Sequence, residues 1–154
     1  MRLTVFSDYA LRVLIYVALQ EERRATVAEI AAVYDISRSH LMKVVQCLSG
    51  LGYLQTVRGK GGGLTLAQPP SAIRIGAVLR ATEADSALVE CMGEQGACRI
   101  TPACALPKMF NHALENFFTT LDAYTLADLV AKPQRLKPLL SHGTGIRVGG
   151  TTAT

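Results

Sequence analysis

Residues 37–67 read SRSHLMKVVQCLSGLGYLQTVRGKGGGLTLA, and the way they fold decides the architecture. Ser37 stands where a helix cap belongs, and the pattern predicts a helix to about Ser49, closed by Gly50-Leu51-Gly52. At about 100° per residue, Leu41, Val44, Val45 and Leu48 gather on one side, which must be core. Ser39, Lys43 and Gln46 face the other way, with His40 and Cys47 at the boundary. Strand-like runs follow at 53–57 and 64–67. The RGKGGG between them reads as a hairpin turn with a basic tip.

Upstream, a helix is predicted from Ser7 to about Gln20, with Leu11, Leu14, Ile15 and Leu19 inward. Thr26-Val-Ala-Glu29 is a capping box, in which two side chains satisfy orphan amides reciprocally. The short helix it opens buries Ile30, Ala31 and Val33, and residues 34–37 form a tight turn. Helix, helix, turn, helix, hairpin is the order of a winged helix–turn–helix. The expected fold is therefore mainly α with a small β-hairpin.

A helix showing Ser, Lys, Gln and His outward can bond base edges and phosphates in a major groove. The same pattern also suits an ordinary amphipathic helix. The wing favours DNA: Gly61, Gly62 and Gly63 allow close backbone approach to a phosphate, and Arg58 and Lys60 flank the bend. The predicted contacts are Ser37, Arg38, Ser39, His40, Lys43, Gln46, Arg58, Lys60, Gly61 and Gly62. No P-loop Lys-Ser/Thr follows the glycines, which argues against a nucleotide hydrolase. Charge agrees with this division. Residues 1–80 hold ten Lys/Arg against five Asp/Glu, whereas residues 81–154 hold six against seven.

Hydrophobic residues make up 49% of the 154, and charged residues 18%, which excludes wholesale disorder. The apolar run ALRVLIYVAL is short and contains Arg12, so it reads as neither a membrane span nor a signal segment. The expected location is the reducing cytoplasm, where four cysteines serve metal binding or redox sensing rather than a disulfide framework.

Beyond Pro69 and Pro70, Ser71 is expected to cap a short helix carrying Ile73, Ile75, Val78 and Leu79. An acidic stretch then holds Cys91, Cys98 and Cys104, with six and five residues between them. No pair has C-x-x-C spacing, and three thiolates are one ligand short of a closed metal site or cluster. Cys47, far away in sequence, reads as a small half-buried residue. From 106 to 124 a long helix is expected. Its stripe of Leu106, Met109, Phe110, Ala113, Leu114, Phe117, Phe118 and Leu121 is wide enough to bury partly against a second subunit, the alternative being its own domain. Residues 125–128 read as a capped turn. The expected division is a DNA-binding domain at 1–80, a cysteine loop at 81–104, a dimerisation helix and turn at 105–132, and an unstructured tail at 133–154.

With the cysteine loop after a winged helix, the chain resembles the bacterial iron–sulfur winged-helix transcription regulators, which include nitric-oxide-sensitive repressors and cluster-assembly regulators. The resemblance covers residue 1 to about 130. It is carried by MRLTVFSDYALRVLIYVA, ISRSHLMKVVQCLSGLGYLQTVRGKGGGLTL, AIRIGAVLR, CRITPAC and LDAYTLADLV. FSDYALR and YTLADLV favour the nitric-oxide branch. The other branch would place a His three residues after the last Cys, where this chain has Pro107.

The resemblance implies a homodimeric repressor that binds a palindromic operator and takes nitric oxide as a ligand. It implies one iron–sulfur cluster per subunit, 4Fe–4S favoured and 2Fe–2S open, on Cys91, Cys98 and Cys104. The fourth ligand implied is an acidic residue near the start of the other subunit's first helix, which here is Asp8, with Arg12 placed to pair with it. The first cysteine gap is one residue longer than is common in the family, which bears on cluster type. Two other readings stand beside this one. The thiols could hold zinc or act directly as a redox switch on DNA binding. From another class, the chain could be a small electron-transfer or cluster-carrier protein, against which the basic wing counts. No nucleophile–base pairing suggests an enzyme.

Overall fold

The computed structural model describes residues 2–20, 23–83, 87–93 and 98–141. Its elements are α1 (Val5–Ala18), α2 (Val27–Tyr34), α3 (Arg38–Gly50), β1 (Leu54–Val57), β2 (Gly63–Leu66), α4 (Ile75–Thr82), α5 (Leu106–Asp122), α6 (Leu126–Leu129) and α7 (Pro133–Ser141). Short 3-10 turns lie at Pro70–Ala72, Glu90–Met92 and Thr101–Ala103. The molecule is mainly helical with a two-stranded antiparallel hairpin, the class expected from sequence.

The α1 helix begins earlier than Ser7. Thr4 is the cap, its hydroxyl accepting from the Ser7 amide at 3.2 Å. Ser7 is instead fully buried, its hydroxyl 2.8 Å from that of Thr82 at the end of α4. The buried face of α1 includes Ala10, Val13, Leu14, Tyr16 and Val17, while Leu11 and Ile15 are only partly covered. Around α1, one apolar core joins Ile30 of α2, Leu41, Val44 and Leu48 of α3, Leu54 and Leu64 of the hairpin, and Val78 of α4. The turn between α2 and α3 passes through Asp35 at φ 53°, a left-handed position that Asp tolerates better than most residues.

The capping box at Thr26 forms as predicted. Glu29 N donates to the Thr26 hydroxyl at 3.2 Å, and Thr26 N donates to the Glu29 carboxylate at 2.8 Å. Arg23 reaches the same carboxylate at 2.8 Å. Burial works to raise the Glu29 pKa, but the Thr26 hydrogen bonds and the Arg23 charge outweigh it and hold the group below its ordinary 4.5. Stability from this box is therefore full above that value and is lost as pH falls through the lower folded-state pKa. In thermal melts from neutral to acid pH, Glu29→Gln should lower stability at pH 7 and flatten the acid-side decline. An unchanged decline would show that the box does not titrate with folding.

Ser71 does not cap α4, correcting the expectation: it lies within the 3-10 turn, and α4 starts at Ile75 without a side-chain cap. The residues before α4 are committed elsewhere. Ile73 O accepts from Leu126 N at 2.8 Å, and Ile75 N donates to Tyr124 O at 2.9 Å. This short bridge brings α6 back onto the core shared by α1 to α4, where Leu126 is fully buried.

The α5 helix packs along α4 through Ile75, Leu79 and Phe118. Arg80 bonds Asp122 at 2.7 Å and lies over the Phe118 ring at 5.0 Å. The stripe on α5 is therefore divided. Leu114, Phe117, Phe118 and Leu121 pack within the chain, whereas Leu106 and Met109 are 42% and 65% exposed. The tail also needs correction in its first part, because residues 133–141 form α7, with Leu140 packed against the main core. The expectation for residues 142–154 lies outside the described residues. Among the described residues no helix is long and apolar enough to cross a membrane.

Candidate nucleic-acid interface and cysteine loop

The Ser37 hydroxyl accepts from the His40 amide at 3.3 Å and starts α3. Burial of Leu41, Val44, Val45 and Leu48 fixes the helix's rotation and turns Arg38, Ser39, His40, Lys43 and Gln46 to solvent. Cys47 is half-buried, as its boundary position suggested. His40 also meets the ring of Tyr9 at 6.2 Å, a contact between α1 and the first turn of α3.

In the hairpin, Leu54 pairs with Leu66 and Val57 with Gly63. Gly59 and Gly61 take φ 93° and 78°, conformations that side chains resist, and Gly62 N donates to Gly59 O at 2.9 Å. Arg58 and Lys60 are exposed at this bend. Arg24 supports the tip from outside by donating to Gly61 O at 2.8 Å. Nothing in the local pattern had marked Arg24, since its partner is 37 residues away.

A groove of about 710 Å³ separates α3 from the wing. Lys43, Gln46, Arg58 and Gly62 line it, together with Met42 and Val57, so two chain segments deliver predicted contacts to one surface. Ser37, Arg38, Ser39, His40, Lys60 and Gly61 stand outside that groove, at the start of α3 and at the wing tip. Met42 was missed by the sequence reading.

The three loop cysteines are free thiols. Cys91 lies half-buried in the turn Glu90–Met92, Cys98 is exposed, and Cys104 is half-buried two residues before α5. By type they suit an iron–sulfur cluster, which takes soft thiolate donors. By position they are not gathered: among the described residues no three His, Cys, Asp or Glu side chains form a group that could hold a metal ion. The root of the loop is tied to the start of α1, where Thr4 N and its hydroxyl both donate to Glu83 Oε1 at 2.9 Å. One turn into α1, Asp8 pairs with Arg12 at 2.8 Å, and the Arg12 guanidinium lies 5.6 Å from the centre of the Tyr34 ring. Burial raises the Tyr34 phenol pKa, with Arg12 acting in the opposite direction.

A helix–turn–helix with a polar outward helix, flanked by a basic glycine wing, defines a winged-helix transcription regulator. Comparison with known proteins makes this specific. Residues 3–132 match the Rrf2 family, described as an iron-dependent transcriptional regulator, and the chain belongs to that family. It is 47% identical over 147 residues to the HTH-type transcriptional regulator NsrR of Geobacillus kaustophilus, covering 94% of this chain and 100% of that protein. Among solved structures it resembles T. potens IscR, with TM-score 0.67, 21% identity, and 89% and 91% of the two chains covered. It also resembles CymR, the global cysteine regulator of B. subtilis, with TM-score 0.65, 23% identity, and 85% and 97% covered. These two likenesses bear on fold. The family is one of transcription regulators, not enzymes.

Proposed function

We propose that the protein is a homodimeric, cytoplasmic repressor whose grip on a palindromic operator depends on an iron–sulfur cluster and is released by nitric oxide. The observation that carries this reading is the set of three free thiols on one loop rooted at the start of α1. The likeness to NsrR supports it, as does the iron-dependent description of the family. Cys91, Cys98 and Cys104 would hold the cluster, with Asp8 of the partner subunit as fourth ligand. A 4Fe–4S form is favoured and 2Fe–2S stays open. When bound, such a cluster supplies iron that takes up nitric oxide.

The chain's own residues then couple the loop to the DNA reader. Asp8 holds Arg12, Arg12 rests over Tyr34, and Tyr34 ends α2 immediately before the turn into α3. Adjacent Tyr9 touches His40 on α3. A change of partner at Asp8 therefore reaches the reading helix through two short contacts. The coupling required is modest: about 2.7 kcal/mol between states gives a hundredfold change in DNA affinity.

The test is gel retardation with anaerobically purified protein, before and after nitric oxide, alongside iron and sulfide analysis. Equal binding in both conditions ends this reading. The rival reading is a zinc site or a direct thiol switch built on the same three free cysteines. Colourless protein with one bound zinc would support the zinc form, and DNA binding governed by thiol oxidation the direct switch. Within the DNA reader, Arg58→Ala should weaken operator binding and reduce the dependence on log salt by about one ion per contact removed, roughly two per dimer. Its visible spectrum should be unchanged. An unaltered salt slope would place Arg58 off the phosphates.

A further inference from the structure

Met42 stands beside Ser39, Lys43 and Gln46 on the outward side of α3 and is 63% exposed. The packing face of that helix is already filled by Leu41, Val44, Val45 and Leu48, so Met42 adds nothing to the core. It lines the groove between α3 and the wing, where Val57, itself 42% exposed, supplies a second apolar surface. Lys43 and Arg58 also line the groove and give it positive charge. This combination fits DNA: cations attract the phosphates, and the apolar surface needs an apolar group on the base edges. In the major groove that group is the 5-methyl of thymine.

We infer that Met42 is a specificity-determining residue that packs against the 5-methyl of one thymine in each operator half-site. The inference rests on the DNA-binding reading above and deepens it. Met42 lies early in α3, whose start is fixed by the Ser37 cap, and the N-terminal part of a recognition helix is what reaches base edges. Its unbranched thioether can adjust to a methyl group without a fixed rotamer.

The experiment uses the full-length protein, purified anaerobically, to select a duplex from a random library by gel retardation. Each thymine of the selected site is then replaced singly by deoxyuridine, which removes only the methyl group. Wild-type protein should lose roughly fourfold in affinity at one symmetric thymine position, the value of burying one methyl group's area. Met42→Ala removes the contact from both half-sites, so it should bind the parent duplex roughly 16-fold more weakly and be indifferent to deoxyuridine at that position. Met42→Leu should keep the discrimination. The inference is overturned if wild-type protein is indifferent at every thymine, or if Met42→Ala still senses the same methyl group. The wild-type scan stands whatever the variants do to stability. Failure to select any duplex would instead remove the DNA-binding reading, and this inference with it.

Discussion

Gly76→Ala should destabilise the chain by about 3 kcal/mol, near the upper end of what one added methyl does in a packed seam. Gly76 is buried on the side of α4 that faces α5. A Cβ there would stand 2.5 Å from the Phe118 carbonyl oxygen and closer still to Asp122 Oδ1. The Asp122 side chain can swing away, but this breaks its 2.7 Å pair with Arg80. That pair is part-exposed and worth little by itself. The Phe118 carbonyl belongs to the backbone of α5 and cannot yield unless the whole helix slides, which would unseat Phe118 from Ile75 and Leu79. The melting temperature should fall by roughly 6–12 °C for a chain of this size. Asp122→Ala in the same background should recover only a minor part of the loss, because the carbonyl clash remains. A melt within about a degree of wild type would mean that α5 rides loosely on α4.

This seam illustrates what the sequence could and could not reveal. Elements set by local chemistry were legible: the Thr26–Glu29 box, the Ser37 cap, the core face of α3 and the glycine wing all form where the pattern placed them. The misplaced boundaries share a different cause. Ser71 looked like a cap because Ser followed by apolar residues is a valid local signal. The chain ahead of α4 is instead held by Tyr124 and Leu126, some fifty residues further on, and no local rule reports that bridge. Ser7 was read as a helix start, yet its hydroxyl is taken by Thr82, 75 residues away. Residues 133–141 were expected to share the unstructured state of the aperiodic SHGTGIRVGGTTAT tail. A first-turn proline and the docking of Leu140 on the main core are enough to form α7. For the candidate site, the polar face of α3 was readable from periodicity. Met42 was passed over because an exposed apolar residue on that face fits no polar pattern. The cysteines were easy to see, but their spacing says nothing of whether the loop gathers them.

Cys98→Ala should purify anaerobically with most of its iron gone, while its DNA-binding domain melts as in wild type. Cys98 is exposed and belongs to neither apolar cluster, so its removal costs the fold almost nothing. Its proposed place as a cluster ligand is another matter. In that reading the loop would provide three thiolates for a site that needs four donors, and removing one would leave two. Loss of even an outer-shell partner lowers metal affinity by roughly 10–100-fold, so loss of a direct thiolate should exceed that. DNA retardation by the variant should then match that of nitric-oxide-treated wild type and no longer respond to the gas. Cys47→Ala is the paired control: this cysteine is half-buried on α3, far from the loop in sequence, and its loss should leave iron and sulfide content unchanged. If Cys98→Ala retains full iron and sulfide, the loop is not the cluster site. If wild type and variant are both colourless and differ only in bound zinc, the zinc reading replaces the iron–sulfur one. If they differ only in their response to oxidants, direct thiol switching replaces it, and in both cases Cys98 keeps its place at the switch.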